Sequence, residues 1–231
     1  MIGMKVSVVI PVYNEEKRIK KCLDSLVNQS EKPDEIIVVD NNCTDGTIGI
    51  VKKYKEVTIV KESKQGILFA RNAGFDRATG DVIARSDADT ILPANWIKSI
   101  KQAFMKDKNI IALSTPVFVY GFGFMDIFSF FYYAYMFIPM MMMGHYPLVG
   151  PSMAIKRSIW EKVREELCTD QVKVHEDLDV SFHIKKLGVI YHDKKNLVFT
   201  SGRRMLYSPA SFFGEYTYRF FKMYFSHRHL L

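Results

Sequence analysis

Cysteine is scarce in this chain. Cys22, Cys43 and Cys168 are scattered, odd in number and without the close pairs that hold a metal. Such a set excludes a disulfide framework and points to a reducing compartment. No G-x-G-x-x-G follows the first apolar run, which argues against a dinucleotide-dependent oxidoreductase. A glycine-rich phosphate loop with its basic residue is missing from the same place, which argues against a nucleotidyltransferase. Met1 to Lys5 lack the long apolar core and small-residue cleavage site of a secretory signal, so a cytoplasmic protein is expected. Neither an internal repeat nor a low-complexity linker divides the 231 residues, a length that suits one large α/β domain with a C-terminal extension.

The balance of 48% hydrophobic and 25% charged residues is that of a globular chain, so disorder is not expected. A net charge of +7 suits nucleic acid, an anionic membrane surface or a phosphorylated substrate equally, and a merely soluble basic surface as well. Because no motif for reading nucleic acid accompanies the charge, no nucleic-acid partner is expected.

Val6 to Ile10 is a short β-branched run without alternation, as in a parallel strand covered on both faces, and it is expected to stop at Pro11. From Glu15 onward, Ile19, Cys22, Leu23, Leu26 and Val27 recur at helical spacing, so an amphipathic helix should pack back on that strand. Glu35 to Val39 reads as a second strand ending at Asp40. Thr44 or Asp45 would cap a helix whose Ile48, Val51 and Tyr54 face one way, and Val57 to Val60 is a third strand. Alternation continues through Ala70 to Ala78, Asp81 to Ala84, Trp96 to Phe104 and Ile110 to Leu113, the pattern of βαβ units and a largely parallel sheet. Ligands of such sheets sit beyond the carboxyl ends of the strands. Asp40 and the pair Asp87 and Asp89 lie just past two such ends, so they should converge on one crevice.

Asp87-Ala88-Asp89 places two carboxylates within reach of one oxygen-rich site, which suits a hard divalent cation bridging a diphosphate. Acid pairs are also common in solvated loops, and the surrounding order of motifs is more specific. Pro11-Val-Tyr-Asn-Glu15 is followed by Val38-Val-Asp-Asn-Asn-Cys-Thr-Asp-Gly-Thr47, Gly66 with Ala70-Arg-Asn-Ala-Gly74, Ala78-Thr-Gly-Asp81 and Ser86-Asp-Ala-Asp89. Together they resemble the family 2 glycosyltransferases of the GT-A fold, densely over about residues 5–92 and loosely to about 205.

The resemblance implies a Rossmann-like, mostly parallel α/β domain over residues 1–205. Within it would lie a nucleotide-sugar half (1–115), an apolar helical insertion (117–147) and an acceptor half (148–205), followed by an amphipathic C-terminal helix in 206–231. It implies an inverting hexosyltransferase that uses a UDP- or GDP-sugar and Mn2+ or Mg2+. Pro11, Tyr13, Glu15 and Asp40 would surround the base and ribose, and Arg71 would lie near that pocket. Asp87 would address ribose or metal, and Asp89 the metal. Asp45 is expected to cap a helix rather than bind a ligand. Two positions depart from the family: Asn42-Cys43 where Gly and Ser are frequent, and Arg85-Ser86 where apolar residues are common.

His175-Glu-Asp-Leu-Asp179 opens a helical pattern with Leu178, Phe182 and Leu187 inward, and it resembles the acidic motif at the family's acceptor site. The base role falls on Asp177, with Glu176 and Asp179 as further candidates; an acidic first helical turn is also what the macrodipole favours. Gly150 to Ile155 resembles the acceptor-side lining. Thr200-Ser-Gly-Arg-Arg204, after a strand over Leu197 to Phe199, offers Arg203 and Arg204 to a pyrophosphate or phosphorylated lipid, or forms a solvated basic turn. His192 is a candidate metal ligand or a surface histidine.

Between Val117 and Met143 Asp126 is the sole charged residue, among many aromatics and methionines. A single crossing would put Asp89 and Asp177 on opposite sides of a membrane, so a membrane-dipping hairpin or a buried or oligomeric interface is expected instead. Phe212 to Phe225 repeats the aromatic theme with Arg219 and Lys222 interleaved. The expected partners are a nucleotide-sugar donor, a lipid-linked acceptor and the cytoplasmic face of a membrane, with oligomers allowed. The competing reading is a catalytically degenerate subunit that binds nucleotide sugar.

Overall fold

The computed structural model describes residues 3–120, 136–170, 174–203, 207–208 and 214–230. Nine strands are described: β1 (Val6–Val12), β2 (Glu35–Asp40), β3 (Val57–Lys61), β4 (Val82–Arg85), β5 (Ile110–Ser114), β6 (Val117–Tyr120), β7 (Met153–Lys156), β8 (Val189–His192) and β9 (Val198–Ser201). The α-helices are α1 (Ile19–Val27), α2 (Thr47–Val51), α3 (Ile67–Arg77), α4 (Trp96–Lys106), α5 (Arg157–Val163), α6 (Glu176–Ile184) and α7 (Tyr216–His227); residues 136–143 are also helical.

Seven strands form one sheet in the order β3-β2-β1-β4-β7-β5-β8, with β6 and β9 paired beside it. All pairs in the large sheet are parallel except those made by β7, which runs antiparallel to both β4 and β5. The expected mostly parallel α/β arrangement is therefore present. Alternate residues of the central strands feed two cores. Val6, Val8, Ile10, Ile36 and Val38 pack with α1, α2 and α4, whereas Val9, Ile37, Val39 and Ile83 pack with α3, α5 and α6. Burial on both faces is why these strands read as unbroken apolar runs.

β1 does not stop at Pro11 but continues to Val12, in register with Asp40. The odd-numbered carbonyls of β1 face β4, as Val9 O does toward Ser86 N–H, and β4 pairs only as far as Val9. The missing N–H of Pro11 thus points where no ladder partner stands, and the proline costs no hydrogen bond. A second difference is β6: residues 117–120, expected to open a helical insertion, pair with β9 instead. Residues 121–135 of that insertion lie outside the described residues. α7 packs Phe220 and Met223 against Leu178 and Phe182 of α6, forming a third small core.

The α3 helix approaches β1 and β2 at Gly74, where a Cβ would lie 2.3 Å from Val9 Cγ1 and 2.8 Å from Val39 Cγ2. Helix propensity alone would make Gly74→Ala stabilising by about 1 kcal/mol. Overpacking reverses the sign, and we expect a loss of about 1–3 kcal/mol, read as a lower urea midpoint at unchanged slope.

Candidate active site

The carboxyl ends of β1, β2 and β4 and the amino end of antiparallel β7 share one edge of the sheet, and the first turn of α6 faces it. A cleft of about 660 Å3 opens there, lined among others by Pro11, Tyr13, Glu15, Asp87, Asp89, Glu176, Asp177 and Arg203. Asp40 and Arg71 are not among the lining residues. Arg204 lies outside the described residues.

Asp89 sits where β9 crosses the end of the β4 loop. Ile91 and Phe199 exchange backbone hydrogen bonds at 2.7 and 3.0 Å, which brings the Thr200 hydroxyl to donate to Asp89 Oδ1 at 3.2 Å. The Tyr120 hydroxyl donates to the Asp89 carbonyl at 3.0 Å. Arg203 donates to both oxygens of buried Glu15 and lies 3.5 Å from Asp89 Oδ2. Burial and the neighbouring Asp87 charge push the Asp89 carboxyl up to about 6, against the opposing pull of Arg203.

Arg85 is buried at the end of β4, donates to Asp87 Oδ1 at 2.9 Å, and reaches across to Glu176 Oε1. The other Glu176 oxygen lies 3.3 Å from Arg71, which is fully buried on α3 beneath the rings of Trp160 and Phe75. Burial would push the Glu176 carboxyl up, but the charges of Arg85 and Arg71 overcome it and hold it below the ordinary range. Glu176 is therefore an anion clamped between two guanidiniums at the floor of the cleft, with Oε1 bonded to Arg85 and Oε2 facing Arg71 without a hydrogen bond of its own. Arg71, expected near the nucleotide pocket, acts from below by donating to the Glu176 carbonyl at 3.1 Å.

Asp177 is half-buried; its Oδ2 accepts the Gly150 N–H and its Oδ1 the Leu178 N–H, both at 2.9 Å. Burial and the adjacent Glu176 charge push its carboxyl upward. Gly150 is required by close approach, because a Cβ there would lie 2.6 Å from Arg85 Nη2.

The two sequence departures have different outcomes. Asn42 has φ of 66°, a left-handed conformation that Asn and Gly both tolerate, and the Cys43 N–H donates to Asp40 Oδ1 at 2.9 Å. Asn42-Cys43 thus keeps the turn that Gly-Ser would make, and Asp40 is spent on folding it. Asp45 accepts from the Thr47 N–H and hydroxyl, one residue ahead of the helix cap Gly46. Arg85, by contrast, builds the charge network just described. His192 is not a cleft residue; it bonds to Ser114 and stacks on Tyr146. Sequence reasoning also missed Thr200 as a partner of Asp89, and Tyr216, Arg219 and Phe220 of α7 as cleft lining. The signal for Arg85 was present, as a charge inside an apolar strand.

Removing the central anion by Glu176→Ala would leave buried Arg71 without its carboxylate partner and Arg85 with Asp87 alone, with an expected loss of about 3–5 kcal/mol in urea unfolding at neutral pH. Asp89→Asn should act oppositely in chelator. Because the folded state holds the Asp89 proton more tightly than the unfolded chain, the charged form destabilises above pH 6 and not below the ordinary value of 3.8. The variant should gain about 2–3 kcal/mol at pH 8, shrinking through pH 6 and gone by pH 4, in a series of thermal melts.

Residues 7–163 match the family model described as glycosyl transferase family 2. Glycosyltransferase GlyA of Streptococcus pneumoniae is 28% identical over 117 residues, which cover 49% of this chain and 17% of that protein. The mannosyltransferase PcManGT from Pyrobaculum calidifontis, solved with GDP-Man and Mn2+, aligns with a TM-score of 0.64 at 24% identity, over 86% of this chain and 57% of that one. S. aureus TarS, solved with UDP-GlcNAc, aligns with a TM-score of 0.68 at 21% identity, over 87% and 59% of the two chains. This chain spans less than two thirds of the length of these proteins, and its likeness to the solved structures is one of GT-A fold. With the family model matching well over half of its residues, the chain belongs to glycosyl transferase family 2.

Proposed function

We propose that the chain is an inverting, metal-dependent hexosyltransferase that takes a sugar from a UDP- or GDP-sugar and passes it to an acceptor hydroxyl presented at a membrane. The observation that carries this reading is the convergence of the Asp87 and Asp89 pair and a separate Asp177 on one cleft. The donor class is supported by the two structural relatives, solved with GDP-Man and Mn2+ and with UDP-GlcNAc.

The donor atoms around Asp89 are all oxygens, from two carboxylates and the Thr200 hydroxyl, and the raised Asp89 carboxyl is relieved by a cation. This chemistry fits Mn2+ or Mg2+ held by Asp89 and Asp87. When bound, such an ion supplies charge stabilisation to the departing nucleoside diphosphate. Asp177 takes the proton of the acceptor hydroxyl as its oxygen attacks the anomeric carbon and the sugar–phosphate bond breaks on the opposite side. Its upward-shifted carboxyl suits that task, and the Gly150 and Leu178 amides fix its orientation. Tyr13, half-exposed, offers its ring to the base beside Pro11 and Glu15, and Arg203 offers a guanidinium to the diphosphate. Asp40 and Arg71 act at one remove, through the turn at 40–43 and through Glu176.

The membrane element rests on exposed aromatics. Tyr218, Phe221 and Phe225 on α7 are exposed among Arg219, Lys222 and Arg228, and Phe137, Ile138 and Met141 are exposed on the helical stretch 136–143. Among the described residues no helix is long and apolar enough to cross a membrane, so the contact would be interfacial, at the cytoplasmic face.

A thermal-shift screen of UDP- and GDP-sugars should give a manganese-dependent rise with one nucleotide, lost in Asp89→Ala. Asp177→Asn should keep that rise while transfer falls about 10²–10⁴-fold; full turnover in this variant removes the base assignment. A donor shift without turnover under any acceptor would instead favour the degenerate binding subunit. The membrane element is checked by flotation with anionic liposomes, and a protein that stays at the bottom of the gradient at low salt overturns it.

A further inference from the structure

Two residues beyond Asp177, about 200° around the helix, Asp179 points away from the sugar-transfer cleft toward α7. Its side chain is 1% exposed, within the small apolar core that α7 makes with α6. Oδ2 accepts the Cys168 N–H at 2.9 Å, whereas buried Oδ1 takes no hydrogen bond from the described residues. Two imidazoles face that oxygen: His227 Nε2 at 3.4 Å from the end of α7, and His183 Nδ1 at 3.6 Å from the next turn of α6. The two rings meet edge to face at 5.4 Å.

These separations are long for hydrogen bonds, whose N–H···O distances centre near ~2.9 Å. They are close to the ~3.3 Å that separates neighbouring ligand atoms when each stands ~2.0–2.1 Å from one tetrahedral ion. His227 is oriented for such a role, because its Nδ1 lies 3.0 Å from the Met223 carbonyl and aims Nε2 at the carboxylate. That is the outer-shell contact that fixes the tautomer of a ligating histidine. His183 Nδ1 also lies 2.9 Å from the Asp179 carbonyl, and an ion would displace the proton held there. One ligand atom from each of the three residues lies within 4.8 Å of the others.

We propose that Asp179, His183 and His227 form a transition-metal site, for Zn2+ by its ligand chemistry, that pins the end of α7 to α6. Two imidazoles and one carboxylate select Zn2+ over Mg2+, opposite to the all-oxygen set at Asp87 and Asp89. The site is independent of the sugar-transfer reading. It bears on the cleft through α7, whose first turns supply Tyr216, Arg219 and Phe220 to the lining.

The test uses the full chain, stripped with chelator and titrated with Zn2+ by calorimetry, alongside Asp89→Ala, His227→Gln and His183→Gln. Zn2+ should bind tightly and raise the melting temperature of the wild type and of Asp89→Ala alike. His227→Gln should weaken it at least about tenfold and abolish the rise. Zn2+ binding that is unchanged in both histidine variants, or lost only in Asp89→Ala, overturns the proposal. Co2+ provides a readout that does not depend on the histidine variants folding. Strong tetrahedral visible bands in Asp89→Ala are expected, and weak octahedral absorption alone overturns the site.

Discussion

The pair of ionic contacts at Glu176 is the constraint from which the rest of the site takes its shape. Its carboxylate stands between Arg71 of α3 and Arg85 of β4, so three segments distant in sequence are fixed by one anion. Charges buried this deeply are tolerated only with partners on every side, and removing one leaves the others exposed to an apolar interior. Arg85 then passes the constraint outward to Asp87. Glu176 passes it along the helix to Asp177, the next residue. The distance between the two acidic groups of the cleft is thereby set by a rigid bridge rather than by loop packing.

The upper part of the cleft obeys an opposite logic. Asp87, Asp89 and Glu15 crowd one side, and Arg203 is the cation that faces Glu15 and Asp89 together. Arg203 is a quarter exposed, unlike the fully enclosed Arg71, so it occupies its place without being locked into it. The lower network is buried and balanced in charge around Glu176; the upper one is acidic and carries a carboxyl with a raised proton affinity. Stability is concentrated in the first and ligand chemistry in the second, as in sites that sacrifice local stability for binding.

Much of this was legible in the sequence because burial on two faces writes itself as unbroken Val and Ile runs, and because acids past strand ends converge when the strands are parallel. Glu15, Asp87 and Asp89 reach the cleft by that rule, whereas Asp40 does not line it and Asp177 and Arg203 arrive from α6 and from beyond β9. What was not legible depended on partners. Pro11 looked like a stop because sequence alone does not tell which side of a strand has a neighbour. Arg71, which the resemblance sets near the nucleotide pocket, lies instead under Trp160, a residue far along the chain, and Phe75 of its own helix. Residues 117–120 looked like the start of an apolar helix because β6 is defined only by its pairing with β9. Arg85 was noticed as a departure, but its meaning required Glu176, whose side chain faces it across the cleft floor.

The antiparallel strand β7 has a consequence for how the molecule comes into being. β4 and β5 do not pair with each other; each pairs with β7. While the chain emerges from the ribosome, the first three layers of sheet can assemble as βαβ units, but β4 keeps an open edge and β5 has no place until residues 153–156 arrive. The nascent N-terminal portion is thus a sheet with an unsealed seam, prone to pairing with a neighbour of its own kind. Closure of that seam delivers Gly150 beside Arg85, so the joining of β4 to β5 sets one wall of the cleft before β8 and the lining from α6 and α7 arrive.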